Sequence, residues 1–90
     1  MRIEWDPQKA KSNLKKHGVS FEEAATALAD PISSTGHDPD HSNDEKRYIT
    51  LGVSKSSRLL VISHTEEKDT IRIISARKAG KKERELYEEG

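Results

Sequence analysis

Apolar residues in this chain fall into short runs, and two of the strongest lie close together. Leu59-Leu60-Val61-Ile62 and the group Ile71, Ile73 and Ile74 flank Glu66-Glu67-Lys68-Asp69, a polar break without a hydrophobic residue. Runs of this kind around so short a break predict an antiparallel hairpin over 58–79, the centre of a small sheet. Arg2-Ile3-Glu4-Trp5 alternates and predicts a short first strand. Asp6-Pro7 then starts a helix, with Asp as N-cap and Pro at the first helical position. Ala10, Leu14 and His17 share one face of it, and Gly18 ends it as a left-handed C-cap. Ser20 and Glu23 form a capping box for a second helix, buried through Phe21, Ala24, Ala25 and Leu28 and stopped by Pro31. A short strand is expected near Ile32-Ser33-Ser34, followed by a polar loop to Asp44. Tyr48 to Val53 is the next strand, with Ile49, Leu51 and Val53 on one face. After Gly80, Lys81 to Glu89 reads as a charged helix touching the body through Leu86 and Tyr87.

This order predicts one α+β domain over 1–90: two N-terminal helices on a small antiparallel sheet, with a short C-terminal helix. Only 31% of residues are hydrophobic and 36% are charged, so the core has to come from those few runs. Without cysteine there is neither a disulfide framework nor a thiolate metal site, which fits a reducing cytoplasm. No apolar stretch approaches membrane-spanning length, and MRIEWD lacks a signal-peptide core.

The formal net charge is zero, yet the charges are segregated. Residues 1–20 carry Arg2, Lys9, Lys11, Lys15 and Lys16 against Glu4 and Asp6, while 21–45 contain acids and no Lys or Arg. Basic ends around an acidic middle suit a polyanion such as RNA, although a charged face on a small domain also serves solubility.

The hairpin carries groups that folding does not require. On a strand, His64 and Glu66 continue the face begun by Leu60 and Ile62, an acid/base pair at the end of an apolar surface. Arg72 and Arg77 are suited to phosphate, because a guanidinium donates two parallel hydrogen bonds and stays charged, and equally to a surface ion pair with the glutamates. Their odd spacing sends them to opposite faces of a regular strand, so a bulge or twist near Ser75-Ala76 is needed to unite them. His37-Asp38-Pro39-Asp40-His41 offers potential metal ligands in the composition of a solvated loop, and no metal site is expected there. Lys15-Lys16-His17 suits the end of a helix by its dipole alone, with RNA contact an added possibility. Phosphate loop, nucleophile elbow and HExxH are all missing.

Trp5-Asp6, the stretch from Asn13 to Ala24 (NLKKHGVSFEEA), Tyr48-Ile49-Thr50-Leu51-Gly52, His64-Thr65-Glu66, Ile71 to Ala79 (IRIISARKA) and Lys82-Glu83-Arg84 together closely resemble the BrnT toxins, in the same order along nearly the whole chain. The resemblance implies a RelE-like fold and a ribonuclease toxin neutralised by a cognate BrnA antitoxin in a hetero-oligomer, with operator DNA bound only through the antitoxin. Metal-free RNA cleavage needs a base at the 2′-OH, a cation at the phosphate and an acid for the leaving 5′-oxygen, with no cofactor. His64 or Glu66 could act as base or acid and Arg72 or Arg77 as clamp. Lys15, Lys16, Lys81, Lys82 and Arg84 could hold the flanking backbone. The rival reading is a non-catalytic module that binds protein or nucleic acid, including an inactive toxin homologue.

Overall fold

The computed structural model describes residues 2–38 and 46–89. In chain order the elements are β1 (Arg2–Trp5), α1 (Pro7–His17), α2 (Phe21–Leu28), β2 (Ser34–His37), β3 (Arg47–Val53), β4 (Leu59–Glu67), β5 (Thr70–Lys78) and α3 (Lys81–Glu89). The strands form one mixed sheet in the order β1-β5-β4-β3-β2. β4 and β5 are the expected hairpin, longer than its apolar runs: Glu66 and Glu67 pair with Ile71 and Thr70. The turn is Lys68-Asp69, with Lys68 in the left-handed region at φ 56°.

The sheet departs from the expected antiparallel one at β1, which runs parallel to β5. These strands are far apart in sequence, so no hairpin fixes their sense. The parallel register aligns Ile3 and Trp5 with Ile71 and Ile73 and so extends one apolar face. β2 lies at Ser34–His37 rather than at Ile32–Ser34. Ile32 is held in a turn instead, where its N–H donates to Asp30 Oδ1 at 3.1 Å and its side chain is 70% exposed. Backbone pairing with Tyr48–Leu51 makes β2 a strand, and its exposed side chains give no alternating signal.

Two cores lie on opposite faces of the sheet. Leu60, Ile62, Ile73 and Ala76 pack with Val19, Phe21, Ala24 and Ala27 of the α1–α2 region. Leu51, Leu59 and Val61 pack with Ile49, Val53, Ala79 and Tyr87 under α3. α2 comes so near β3 that a Cβ on Gly52 would meet the Ala27 carbonyl oxygen at 2.5 Å.

The caps follow the sequence closely. Asp6 accepts from Gln8 N–H at 2.8 Å, and Gly18, at φ 69°, donates to Leu14 O at 2.8 Å. Ser20 accepts from Glu23 N–H at 3.0 Å. The Glu23 carboxylate does not return to the cap. It accepts from Ser54 Oγ at 2.7 Å and Arg58 Nε at 2.8 Å, tying α2 to the β3–β4 loop.

Of the expected helix contacts, Leu14 and Leu86 are not made, while Tyr87 packs as expected. Leu14 is half exposed, and the buried residue of α1 is Asn13. Leu86 is 65% exposed, while Tyr87 carries α3 and donates its hydroxyl to Asp30 Oδ2 at 2.6 Å. That Asp30 oxygen also accepts from Val53 N–H at 2.9 Å.

Candidate active face

Register decides which side chains meet. Ser63 opposes Ser75 and His64 opposes Ile73, so Ile74 is an extra residue, a β-bulge in β5. Because of it, Arg72 and Arg77 share a face despite their odd spacing. Arg72 opposes Thr65, and Arg77 opposes Val61 on the face that α3 covers. Between the arginines lies the Ser63–Ser75 pair. Arg47 opposes Thr65 from β3, and Glu4 lies beyond Arg72 on β1. Going away from α3, this face passes from apolar residues to hydroxyls to a cationic row.

Each of the two arginines already holds a carboxylate. Arg72 donates to Glu4 at 2.8 Å. Arg77 donates to both Glu83 carboxylate oxygens at 3.3 Å and to Lys78 O at 3.2 Å. Arg77 and the Gly80 N–H, 2.6 Å from Oε1, together hold the Glu83 carboxyl below its usual range. Glu83 is in the first turn of α3, so Lys81, Lys82 and Arg84, all exposed, stand beside the Arg77 pair.

His64 and Glu66 occupy the other face. His37, Tyr48, His64, Ile73 and Trp5 form one row across five strands, with the His64 ring stacked on Tyr48 at 6.0 Å between centroids. His64 is fully buried. Its Nε2 lies 2.7 Å from Thr50 Oγ1, itself 2.7 Å from Thr35 Oγ1. Its Nδ1 has no hydrogen-bond partner, and the nearest carboxylate oxygen is Glu66 Oε1 at 4.0 Å. Either neutral tautomer completes this chain of hydroxyls, with Nε2 donating to Thr50 Oγ1 or accepting from it. Burial pushes the imidazole pKa down, against an upward pull from Glu66.

Thus the candidate residues separate into two sets. Arg72 and Arg77 lie on one face, opposite Thr65 and Val61 with the Ser63–Ser75 pair between them, and His64 with Glu66 lies on the other side of the sheet. Lys15 and Lys16 are exposed on α1, the helix over the histidine face. Sequence reasoning did not single out Glu4, Glu83, Ser63 or Arg47. Knowing the strand register would have found Glu4, Ser63 and Arg47, while Glu83 depends on how α3 docks. In the HDPDH stretch, Pro39, Asp40 and His41 lie outside the described residues. Among the described residues no group of three His, Asp or Glu side chains could hold a metal ion, and no helix is long and apolar enough to cross a membrane.

Fold and site together define a small α+β protein of three helices and a five-stranded mixed sheet. A family model described as "Ribonuclease toxin, BrnT, of type II toxin-antitoxin system" matches residues 5–83. The chain belongs to the BrnT family of ribonuclease toxins. A crystal structure of the Brucella abortus ribonuclease toxin BrnT is similar, with a TM-score of 0.65, 23% identity, and coverage of 90% of this chain and 99% of that one. Comparison with curated proteins gives no match.

Proposed function

We propose that this protein is a RelE-like endoribonuclease toxin that cleaves RNA without a metal ion and is neutralised by a BrnA-type, DNA-binding antitoxin. The observation that carries the reading is the bulge at Ile74, which directs Arg72 and Arg77 to one sheet face with Ser63 and Ser75 between them. Two guanidiniums so placed suit the scissile phosphate and the charge that develops on it. Phosphate arriving at Arg77 competes with Glu83 and frees its carboxylate. Glu83 then takes the 2′-OH proton, the 2′-oxygen attacks phosphorus to close a cyclic phosphate, and the 5′-oxygen leaves with a proton from water while the arginines meet the developing negative charge. His64, bonded to Thr50 of β3, serves this site from across the sheet by fixing β4 against β3 rather than by touching RNA, and Glu66 stands beside it on that same face.

The purified chain should cut single-stranded RNA and keep cutting in excess chelator. Arg77→Ala should lower the rate about a hundredfold with little change in melting temperature, since the ion pair it breaks is exposed. Arg77→Lys should fall between, keeping charge without the fork. Activity lost in chelator and restored by a divalent ion would refute metal independence. Full activity in Arg77→Ala would move the clamp elsewhere, and no cleavage under any condition would favour the non-catalytic module.

A further inference from the structure

β5 is a sheet strand whose outer edge is only partly covered. β1 pairs with it from Thr70 to Ile73 and stops at Trp5. Further along, Asn13 of α1 takes the place of a strand. Its Oδ1 accepts from Ala76 N–H at 3.0 Å, and its Nδ2 donates to Ala76 O at 2.8 Å and Val19 O at 3.0 Å. Between these two covers lie Ile74 and Ser75, at the bulge. Here a groove of about 380 Å³ opens, walled on its other side by Lys9, Ser12, Lys16 and His17 of α1.

The electrostatics of this groove are one-sided. No carboxylate lines it, whereas two other surface grooves contain Glu88 in one case and Glu4 with Glu67 in the other. Lys9, Ser12 and Lys16 recur at i, i+3 and i+7, which puts them on one helical stripe about 10 Å long. Neither lysine is in an ion pair among the described residues, in contrast to Arg72 and Arg77. Exposed, unpaired cations along a cleft attract a chain of negative charges. The floor of the groove is the bulge itself, and Ser75 at that bulge pairs with Ser63 on the arginine face. The groove therefore meets the candidate active face at the edge of β5.

We propose that the α1–β5 groove is a second RNA subsite, in which Lys9 and Lys16 hold backbone phosphates flanking the bond cut at Arg72 and Arg77, so that the strand passes over the β5 edge at Ser75. This assignment rests on the RNA-cleaving reading above. It selects Lys9 and Lys16 and sets aside Lys15, which does not line the groove. Contacts of this kind are blind to base identity, so the subsite sets affinity and not sequence preference.

The test uses a single-stranded oligonucleotide with 2′-O-methyl groups, which the chain can bind and cannot cut. Its affinity is measured by fluorescence anisotropy over a range of salt concentrations. Comparison is between the intact protein, Lys9→Ala/Lys16→Ala, and the control Lys11→Ala/Lys55→Ala, which removes the same charge elsewhere. Each lost phosphate contact on a single strand lowers the slope of log K against log salt by about 0.7. The groove variant should therefore lose about 1.4 in slope, equally for oligonucleotides of different sequence, and the control should stay near the intact protein. Equal slopes for the intact protein and the groove variant, or equal losses in groove and control variants, would overturn the subsite and leave the cleavage reading standing. Failure of the intact protein to bind any RNA would overturn both.

Discussion

His64 is a titratable ring held neutral inside the sheet, and this has a consequence for stability. Burial lowers its pKa from the ordinary value of 6.5, so the unfolded chain binds a proton that the folded chain refuses. Stability therefore rises with pH through the window just below 6.5 and falls on acidification through it. One proton limits the slope to about 1.4 kcal/mol per pH unit. Glu23, Asp30 and Glu83 have lowered pKa values, caused chiefly by hydrogen bonds from Arg58, Tyr87 and Arg77 respectively. Their contribution is complete above their ordinary values of 4.5, 3.8 and 4.5 and disappears only in more acid solution. The two effects thus separate along the pH axis. His64→Gln should flatten the stability curve between about pH 7 and pH 5 and leave the steeper loss at lower pH. Denaturant melts of both proteins at each pH provide the check, and parallel curves between those limits would mean that the imidazole is not held neutral by the fold.

At the scale of elements, Asn13 joins α1, the α1–α2 turn and the edge of β5 with one side chain. Removing the amide leaves Ala76 N–H, Ala76 C=O and Val19 C=O without it, and an unmet buried polar group costs about 1–3 kcal/mol. Asn13 also lines the neighbouring groove, which opens part of this edge to the surface, so Asn13→Ala should cost about 2–4 kcal/mol in all. Thermal unfolding should show a fall of roughly 4–8 °C for each kcal/mol in a domain of this size. A change under about 1 kcal/mol would reduce Asn13 to an incidental contact. The same residue shows what could be read before the structure. Capped helices, the hairpin and the apolar β3 face each leave a local pattern and were readable. Asn13 shares the i, i+3, i+7 stripe of Ala10 and His17, but a hydrophobic scan looks past an amide and settles on Leu14. β2 is made by its pairing partner, and the parallel sense of β1 by a strand some seventy residues away, so neither leaves a local trace. Arg72 and Arg77 could be named from the sequence, together with the need for a bulge. Their union depended on the bulge at Ile74, and their carboxylate partners depended on docking of α3 and β1.

At the scale of the whole molecule, the neutral formal charge conceals an uneven surface. Arg72 and Arg77 are matched by Glu4 and Glu83, whereas the α1 lysines over the opposite sheet face are unmatched among the described residues. The interior is thin, since two small clusters share one sheet and Ile32 and Leu86 remain 70% and 65% exposed. A domain with so little buried apolar surface has a narrow stability margin. A partner that binds only the folded state adds directly to that margin, by about 2.7 kcal/mol when its free concentration is a hundred times Kd. The antitoxin proposed above is such a partner, so the complex should melt well above the free chain, with a midpoint that rises as antitoxin is added. Differential scanning calorimetry of the chain alone and with increasing antitoxin measures this. Arg77→Ala belongs in the same series because it lacks the clamp and keeps the rest of the surface. Its midpoint should climb as far as that of the intact protein if the antitoxin holds the chain mainly through other contacts. A smaller rise would show that the antitoxin seats a carboxylate on Arg77 in place of Glu83 and blocks the phosphate directly. Equal midpoints for the free chain and the complex would rule out stabilisation of the fold by the antitoxin.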